Sequence, residues 1–364
     1  MKKVFVGLSG GVDSSVAALL LKQRGYEATG VYMKNWSQNL PGMKCPWEED
    51  YQDAKRVAVQ LGIDFKVYDF EKEYRYKVVD YMIREYKAGR TPNPDIMCNQ
   101  EVKFKLFLET ALKDGADYIA TGHYARVKHA RNGHQSSANS SHLLRAKDEN
   151  KDQTYFIYRI SKEALSKVLF PLGDLTKQDV RQIAKKHGLA SATRKESMGI
   201  CFVGNVGIKD FLSQYIEEKS GKIIDQSAGQ RRRVVGEHEG AAFYTIGQRH
   251  GLSVGGGLPY YVTGKNMKKN EVYVTTDLQD EKLWSNQIRL ADIHWIPSLQ
   301  VPSLQRGLSV RTRHRAPLVP VKNFNALTNL RATVELEEEV RALTPGQSAV
   351  FYSGERVLGG GIVV

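Results

Sequence analysis

The run Ser9-Gly10-Gly11-Val12-Asp13-Ser14-Ser15 constrains this chain more than any other stretch. It follows a short apolar strand, Lys3-Val4-Phe5-Val6-Gly7-Leu8, and precedes an apolar helical pattern, Val16-Ala17-Ala18-Leu19-Leu20-Leu21. A Gly/Ser turn between a strand and a helix leaves backbone N–H groups pointing outward at the positive end of the helix dipole, which suits a phosphate. The paired glycines let the backbone approach an anion without a Cβ in the way. No lysine follows the turn, so the loop is not the GxxxxGK[ST] type. Asp13 would repel phosphate, and an Mg²⁺ ion between them would relieve the repulsion. A plain strand–helix turn with a serine cap is the simpler alternative. It requires one serine, whereas this run has three and a glycine pair.

Alternation continues past the loop. Glu27 to Met33 reads as a second strand, Glu49 to Leu61 as a helix stopped by Gly62, and Phe65 to Tyr68 as a third strand. Lys77 to Lys87 and Val102 to Leu112 have helical spacing, and Tyr118 to Thr121 is strand-like. This pattern predicts an α/β fold with a parallel sheet and helices on both faces, its ligand site beyond the carboxyl ends of the strands. The polar segment Arg131–His142 reads as the tip of a hairpin between Ala125–Val127 and Leu143–Arg145. Thr176-Lys177-Gln178-Asp179 resembles a capping box, opening a helix that runs to His187. After Cys201 the texture changes: one helix, Lys209 to Glu218, precedes a glycine-rich stretch from Gly221 to Gly264. Beyond it, short β-like runs at Glu271–Thr275, Ile288–Trp295, Leu308–Arg313, Arg331–Glu337, Ser348–Tyr352 and Arg356–Val364 predict a small barrel or sandwich. The expected units are a nucleotide-binding domain over residues 1–205, a small central adaptor over 206–272 and a β-barrel over 273–364.

The chain of 364 residues carries 53 Lys plus Arg against 40 Asp plus Glu, a formal charge of +13 that favours a polyanionic partner, nucleic acid ahead of a membrane surface. A basic surface without a partner is the other reading of the same count. No apolar run approaches the ~20 residues of a membrane span. The N-terminus enters a strand at once, which leaves no room for a targeting peptide and implies a cytoplasmic protein. With 3 cysteines, a disulfide scaffold is not expected, so any disulfide would be transient or catalytic. No Cys/His spacing suggests a metal site.

Cys98 lies in Gly89-Arg90-Thr91-Pro92-Asn93-Pro94-Asp95-Ile96-Met97-Cys98-Asn99, where the prolines predict a loop ahead of the helix from Val102. A thiol just before a helix N-terminus can have a lowered pKa. Asp95 would oppose that effect when ionised but could accept a proton. Cys201 lies in Glu196-Ser197-Met198-Gly199-Ile200-Cys201-Phe202, a turn entering a strand. Taken singly, either cysteine, like Cys45, also reads as a small buried apolar residue. His123, after a strand end in Thr121-Gly122-His123-Tyr124, can be a general base, an RNA contact or a hydrogen-bonded structural histidine. Lys151-Asp152-Gln153-Thr154-Tyr155 combines groups that suit phosphate and unstacked bases, or marks a helix start capped by Asp152. Arg231-Arg232-Arg233 reads mainly as a solvated face. Arg311, Arg313 and Arg315 would share one face of a strand, a row that suits a phosphate backbone.

These segments together resemble the bacterial tRNA-specific 2-thiouridylases nearly end to end. The resemblance is carried by SGGVDSS (Ser9–Ser15), MKNW (Met33–Trp36), AGRTPNPDIMCN (Ala88–Asn99), ATGHYARV (Ala120–Val127), KDQTYF (Lys151–Phe156), GICFVG (Gly199–Gly204), YTIGQRHGL (Tyr244–Leu252) and GGGIVV (Gly359–Val364). It implies an ATP-pyrophosphatase domain that uses ATP with Mg²⁺, holding the nucleotide at Gly7, Leu8, Ser9, Gly10, Gly11, Val12, Asp13, Ser14, Met33 and Gly122. It implies that a flipped wobble uridine is adenylated on its C2 oxygen and receives sulfur from a persulfide on Cys201. Cys98 would be the partner thiolate, with release of sulfide or a transient Cys98–Cys201 disulfide, and Asp95 the base. Asn93, Pro94 and Asp95 would line the target base; His123, Lys151, Asp152, Gln153, Arg313, His314 and Gln347 would contact tRNA. Further implied partners are a sulfur-relay protein or cysteine desulfurase, with the enzyme a monomer. The segments Gln226–Arg233 and Arg131–His142 depart from the family pattern, and Cys45 matches none of its catalytic positions. Two other classes fit part of this pattern: an ATP-pyrophosphatase ligase acting on an adenylated acyl or base, and a non-catalytic RNA-binding protein with a relic nucleotide fold.

Overall fold

Strand β1 (Lys3–Gly7) is the axis of the N-terminal half, because its buried Val4, Phe5 and Val6 pack on both faces. In the computed structural model, which describes residues 1–39, 45–129, 141–194, 207–227, 232–252, 254–255, 257–296 and 307–364, β1 lies between β2 (Glu27–Lys34) and β4 (Tyr118–Ala120). With β3 (Asp64–Asp69) and β7 (Val168–Leu169) they form a parallel sheet in the order β3-β2-β1-β4-β7. The strand order reverses at β1, so the crevice beyond its carboxyl end is the ligand position for such a fold. One face is covered by α1 (Val12–Gln23), α2 (Trp47–Leu61) and the helix Lys177–Lys186, through Val16, Ala17, Leu21, Ala54, Val57, Leu61, Val180 and Ala184. The other face carries Val78, Met82, Val102 and Phe107. Fully burying each such side chain contributes about 1.5–3 kcal/mol. Helices on both faces of a parallel sheet agree with the sequence expectation.

Three helices start four or more residues earlier than expected. α1 begins at Val12 rather than Val16. The helix expected from Lys77 begins at Glu71 and passes through a π segment, Arg75–Val79, before Asp80–Lys87. The helix expected from Val102 begins at Pro94 and runs through a π segment, Cys98–Leu106, into Phe107–Lys113. Proline is well tolerated at the first helical position, where its missing N–H has no helical partner. The helix expected over Lys209–Glu218 is shorter, Ile208–Leu212.

The hairpin expected around Arg131–His142 pairs β5 (Arg126–His129) with β6 (Ser141–Leu144), Val127 opposite Leu143; its tip lies outside the described residues. A second sheet has the order β10-β11-β8-β9, from β8 (Gly221–Asp225), β9 (Arg233–His238), β10 (Tyr261–Asn266) and β11 (Glu271–Thr275). The glycine-rich stretch therefore holds strands that its composition concealed. The third sheet runs β12 (Trp284–Trp295), β15 (Arg331–Arg341), β14 (Val319–Thr328), β13 (Leu308–Arg311), β16 (Ser348–Ser353), β17 (Arg356–Val363), all antiparallel. Pairing of β12 with β17, Leu290 opposite Val363, closes it into a barrel. The hairpin β5–β6 joins this barrel at β17, where Arg356 pairs with Leu144. Among the described residues no helix is long and apolar enough to cross a membrane.

Candidate active site

At the carboxyl end of β1 the glycine pair does distinct work. Gly10 has φ +74, and a Cβ there would sit 2.6 Å from Arg194 Nη1 and 2.8 Å from the Asp50 carbonyl oxygen. Gly11 is the N-cap of α1, and no side chain caps the helix. The serine-cap alternative is thereby ruled out; Ser14 and Ser15 instead donate their hydroxyls back to the Gly11 carbonyl at 3.1 and 2.8 Å, and Ser14 Oγ receives the Ser9 N–H. The helix start is held by its own hydroxyls, and its leading amides have no side-chain cap, an arrangement suited to phosphate.

The expected nucleotide residues converge around this loop. The Met33 side chain packs against Gly7, where a Cβ would meet its methyl at 2.9 Å. Gly122 presses on the first turn of α1, its would-be Cβ 2.7 Å from Ser14 N and 2.8 Å from Asp13 C. Leu8 and Val12 are buried beneath the loop. The Asp13 carboxylate accepts from Tyr124 Oη at 2.9 Å and pairs with Lys177 Nζ at 2.7 and 2.8 Å. The sequence pattern places Lys177 in a capping box and Tyr124 beside His123, and gives neither a part in the nucleotide site. A carboxylate at this position fits an Mg²⁺ that arrives on phosphate oxygens and keeps its waters. Among the described residues no group of His, Cys, Asp and Glu forms an all-protein metal cage.

Beyond the loop lies the Cys98 segment. Asn93 caps the helix, its Oδ1 accepting from the amides of Asp95 at 3.1 Å and Ile96 at 3.4 Å, a cap worth about 1 kcal/mol. Pro94 takes the first helical position. Cys98 is therefore one turn inside a helix and not ahead of its N-terminus, which corrects the sequence expectation; the asparagine cap outweighs the two prolines as a signal. Asp95 and Cys98, three residues apart, share a helix face. Cys98 is fully buried, and Asn99 Nδ2 beside it donates to the Phe156 carbonyl at 3.1 Å. Cys201 and its GICFVG segment lie outside the described residues. Cys45 is half-buried, its Sγ donating to the Trp36 carbonyl at 3.6 Å, and burial pushes its thiol pKa up.

His123 is buried against Phe104 and Phe170, ring centroids 5.6 and 6.3 Å away, with Nδ1 2.8 Å from Thr121 Oγ1. Burial, then Lys103, pull its pKa well below the usual histidine range, so it is neutral at pH 7. Asp152 is buried: its Oδ1 accepts from the Ala146 amide at 3.2 Å, and its carboxylate pairs with barrel residue Arg311 at 3.3 Å. Gln153 Oε1 receives the Tyr124 amide at 2.9 Å, and Lys151 stands partly exposed beside them.

The barrel arginines do not form a row. β13 ends at Arg311, so Arg313 and Arg315 lie beyond the strand in a turn; Arg315 has φ +63. Arg313 Nη2 donates to the carbonyls of Ile246 at 3.1 Å and Ala342 at 2.6 Å and to Thr344 Oγ1 at 3.0 Å. His314 packs against Phe156 with the rings tilted by 44° and centroids 4.5 Å apart, and burial, then Arg315 and Arg311, push its pKa down to about 4. Arg313 and Gln347 line a cavity of about 320 Å³ with Thr245, Ile246, Gly247 and Gln248. Thr91, just before the Asn93 cap, joins all three parts of the chain. Its amide donates to the Pro345 carbonyl at 2.8 Å, its hydroxyl lies 3.1 Å from Thr245 Oγ1, and its carbonyl accepts from Gln347 Nε2 at 2.8 Å. Of the basic knot, Arg233 pairs with Asp225 at 3.3 Å, while Arg231 lies outside the described residues.

Comparison with known proteins gives the same parts in the same order. Residues 2–205 match a family model described as a tRNA methyl transferase HUP domain, 209–276 a tRNA methyl transferase PRC-barrel domain, and 285–363 an aminomethyltransferase beta-barrel domain. The chain is 48% identical over 362 residues to a tRNA-specific 2-thiouridylase MnmA 2 of Geobacillus kaustophilus, covering 99% of this chain and 94% of that one. It is 47% identical to the tRNA-specific 2-thiouridylase MnmA of Bacillus subtilis with the same coverage. The MnmA of Enterococcus faecalis is 44% identical over 365 residues, covering 99% of this chain and 95% of that protein. The model descriptions speak of methyl transfer and the full-length relatives of thiolation. The relatives carry more weight, because they match through every domain at once.

Proposed function

The chain belongs to the tRNA-specific 2-thiouridylase family, and from that premise we propose that it forms 2-thiouridine at the wobble position of tRNA, using ATP. The observation that carries the reading is the capped helix start that brings Asp95 and Cys98 onto one face, next to the segment Asn93–Pro94 that would line the base. Residues 1–205 form the catalytic unit, 206–272 the adaptor and 273–364 the tRNA-binding barrel. The +13 charge supports a polyanionic partner.

The amides and glycines of Ser9–Ser14, with Gly7, Met33 and Gly122, hold ATP. Asp13 would hold an Mg²⁺ that screens charge on the phosphates. The extruded uracil attacks the α-phosphorus with its C2 oxygen; the bond to the β-phosphate breaks and pyrophosphate leaves. Asp95 takes the N3 proton. Cys98, once uncovered, attacks the inner sulfur of a Cys201 persulfide. A Cys98–Cys201 disulfide forms, the released sulfide adds to C2, and AMP departs with the C2 oxygen. A thiol reductant then restores both cysteines, and a sulfur-relay protein or desulfurase reloads the persulfide. Lys151, Gln153, Arg313, His314 and Gln347 serve the RNA, while buried Asp152 and His123 support the surface from beneath.

Mass spectrometry of tRNA nucleosides after incubation with ATP and a persulfide donor tests this. Wild-type protein should yield 2-thiouridine and AMP, and Cys98→Ser or Cys201→Ser none, with ATP binding unchanged. Continued thiolation by both variants would overturn the cysteine roles, and tRNA binding without pyrophosphate release would favour a non-catalytic binder.

A further inference from the structure

The helix Lys177–Lys186 begins with a lysine at its first position, the end where its own dipole disfavours a cation. The capping box of Thr176 and Asp179 fixes that start: Asp179 Oδ2 receives the Thr176 amide at 2.8 Å. The Lys177 amide donates to Asp148 Oδ2 at 2.9 Å, and Asp148 Oδ1 also receives the amides of Asn150 and Lys151 at 3.1 and 3.2 Å. The lysine thus stands on a rigid base. Its side chain, 13% exposed, crosses to Asp13 in the first turn of α1 and passes 5.9 Å from the Tyr124 ring centroid. Two helix N-termini therefore meet at one point of the phosphate loop, with the Lys177 ammonium and the Asp13 carboxylate between them. Neither dipole nor lysine gains from a neutral ligand; all three gain from a multiply charged anion.

We propose that Lys177 is a phosphate-binding cation of this loop, supplied from the far end of the domain in place of the lysine that the loop itself lacks, and that Asp13 holds it at the site until polyphosphate arrives. The assignment rests on the nucleotide-site reading above and adds a residue to it. When a triphosphate binds, its oxygens compete with the Asp13 carboxylate for the ammonium, and Asp13 becomes available to the accompanying magnesium ion. The lysine is a binding group for the departing pyrophosphate and forms no bond in the reaction.

Calorimetric titration of the full chain with ATP, pyrophosphate and adenosine tests the assignment. Lys177→Met should weaken ATP and pyrophosphate by about tenfold to a hundredfold, the loss expected for one charge-assisted hydrogen bond, and leave adenosine unchanged. Lys177→Arg should restore most of the affinity; Lys177→Gln replaces the Met variant if that one does not fold. Equal weakening of adenosine and ATP would show a structural role and overturn the assignment, as would ATP affinity within twofold of wild type. A wild-type chain that binds ATP yet makes no thiouridine would sink the proposed reaction, and the contrast between ATP and adenosine would still support the lysine's role.

Discussion

At the phosphate loop, α1 is capped by a glycine that offers no side-chain acceptor, and Asp13 of its first turn is held by Lys177 and Tyr124. At Thr91 the amide, carbonyl and hydroxyl are all engaged, the first two by the barrel loop at Pro345 and Gln347 and the third by Thr245 of the adaptor. The first region keeps donors in reserve for an anion. The second uses its polar groups to fix where the Asn93-capped helix starts, and hence where Cys98 lies. The difference separates a site that binds from a seam that positions, and each can be disturbed without the other.

The largest expected effect falls on the seam. Arg311→Met would leave the fully buried Asp152 carboxylate without its barrel partner, a loss of about 3–5 kcal/mol for a broken buried pair, read as a lowered midpoint in urea. Asp152→Asn combined with it should recover part of that loss; failure to recover would show that the Thr154 hydroxyl, Arg145 and the local amides already satisfy the carboxylate.

A pair of glycine substitutions separates the two regions next. Gly122→Ala sets a Cβ on the Ser14 and Asp13 backbone, and Gly346→Ala, at φ +95, sets one 2.8 Å from Thr91 N. Each should cost about 1–3 kcal/mol of stability. Only the Gly122 variant should lose ATP affinity, and only the Gly346 variant should slow thiolation at saturating ATP. Matching losses in both assays would erase the distinction.

How much of this the chain disclosed follows the same division. The phosphate loop, its strand and its helix were readable because the signal is contiguous: seven residues whose glycines, hydroxyls and flanking apolar runs act on one another locally. The Thr176 capping box was readable for the same reason. That its lysine crosses to Asp13 was not, since 164 residues separate the two and no local pattern records the meeting. The fate of Arg313 was hidden too. Period-two spacing gave a strand face, but β13 stops at Arg311 and the next arginine turns to carbonyls of the adaptor and barrel. The start of the Cys98 helix was misread because two prolines were weighed above an asparagine that caps it.

Arg313→Met tests both roles of that residue. It should cost about 1–3 kcal/mol through carbonyls left unpaired. It should also lower the salt slope of tRNA binding by about one phosphate contact. A stability loss with an unchanged slope would confine Arg313 to the seam.

The smallest effect is in pH. His314 has a folded pKa of about 4, below the ordinary value of 6.5, so the unfolded chain binds the extra proton between them. Stability present above pH 6.5 is therefore lost as pH falls toward 4, with the sign fixed by proton linkage. His314→Gln should flatten that part of the acid limb in thermal melts; His123, His142, His238 and His294, also depressed by burial, keep the remainder. An unaltered limb would place the histidine in a wetter setting than its contact with Phe156 suggests.

The hairpin β5–β6 grows out of the front half of the molecule but finds its neighbour on β17, near the very end of the chain. A front half produced by itself would carry two orphaned strands with a raw edge, and such an edge recruits other copies. The enzyme thus resists being taken apart as a kit: transplanting its chemistry onto another RNA-binding scaffold would require moving the last β-strand along with the first.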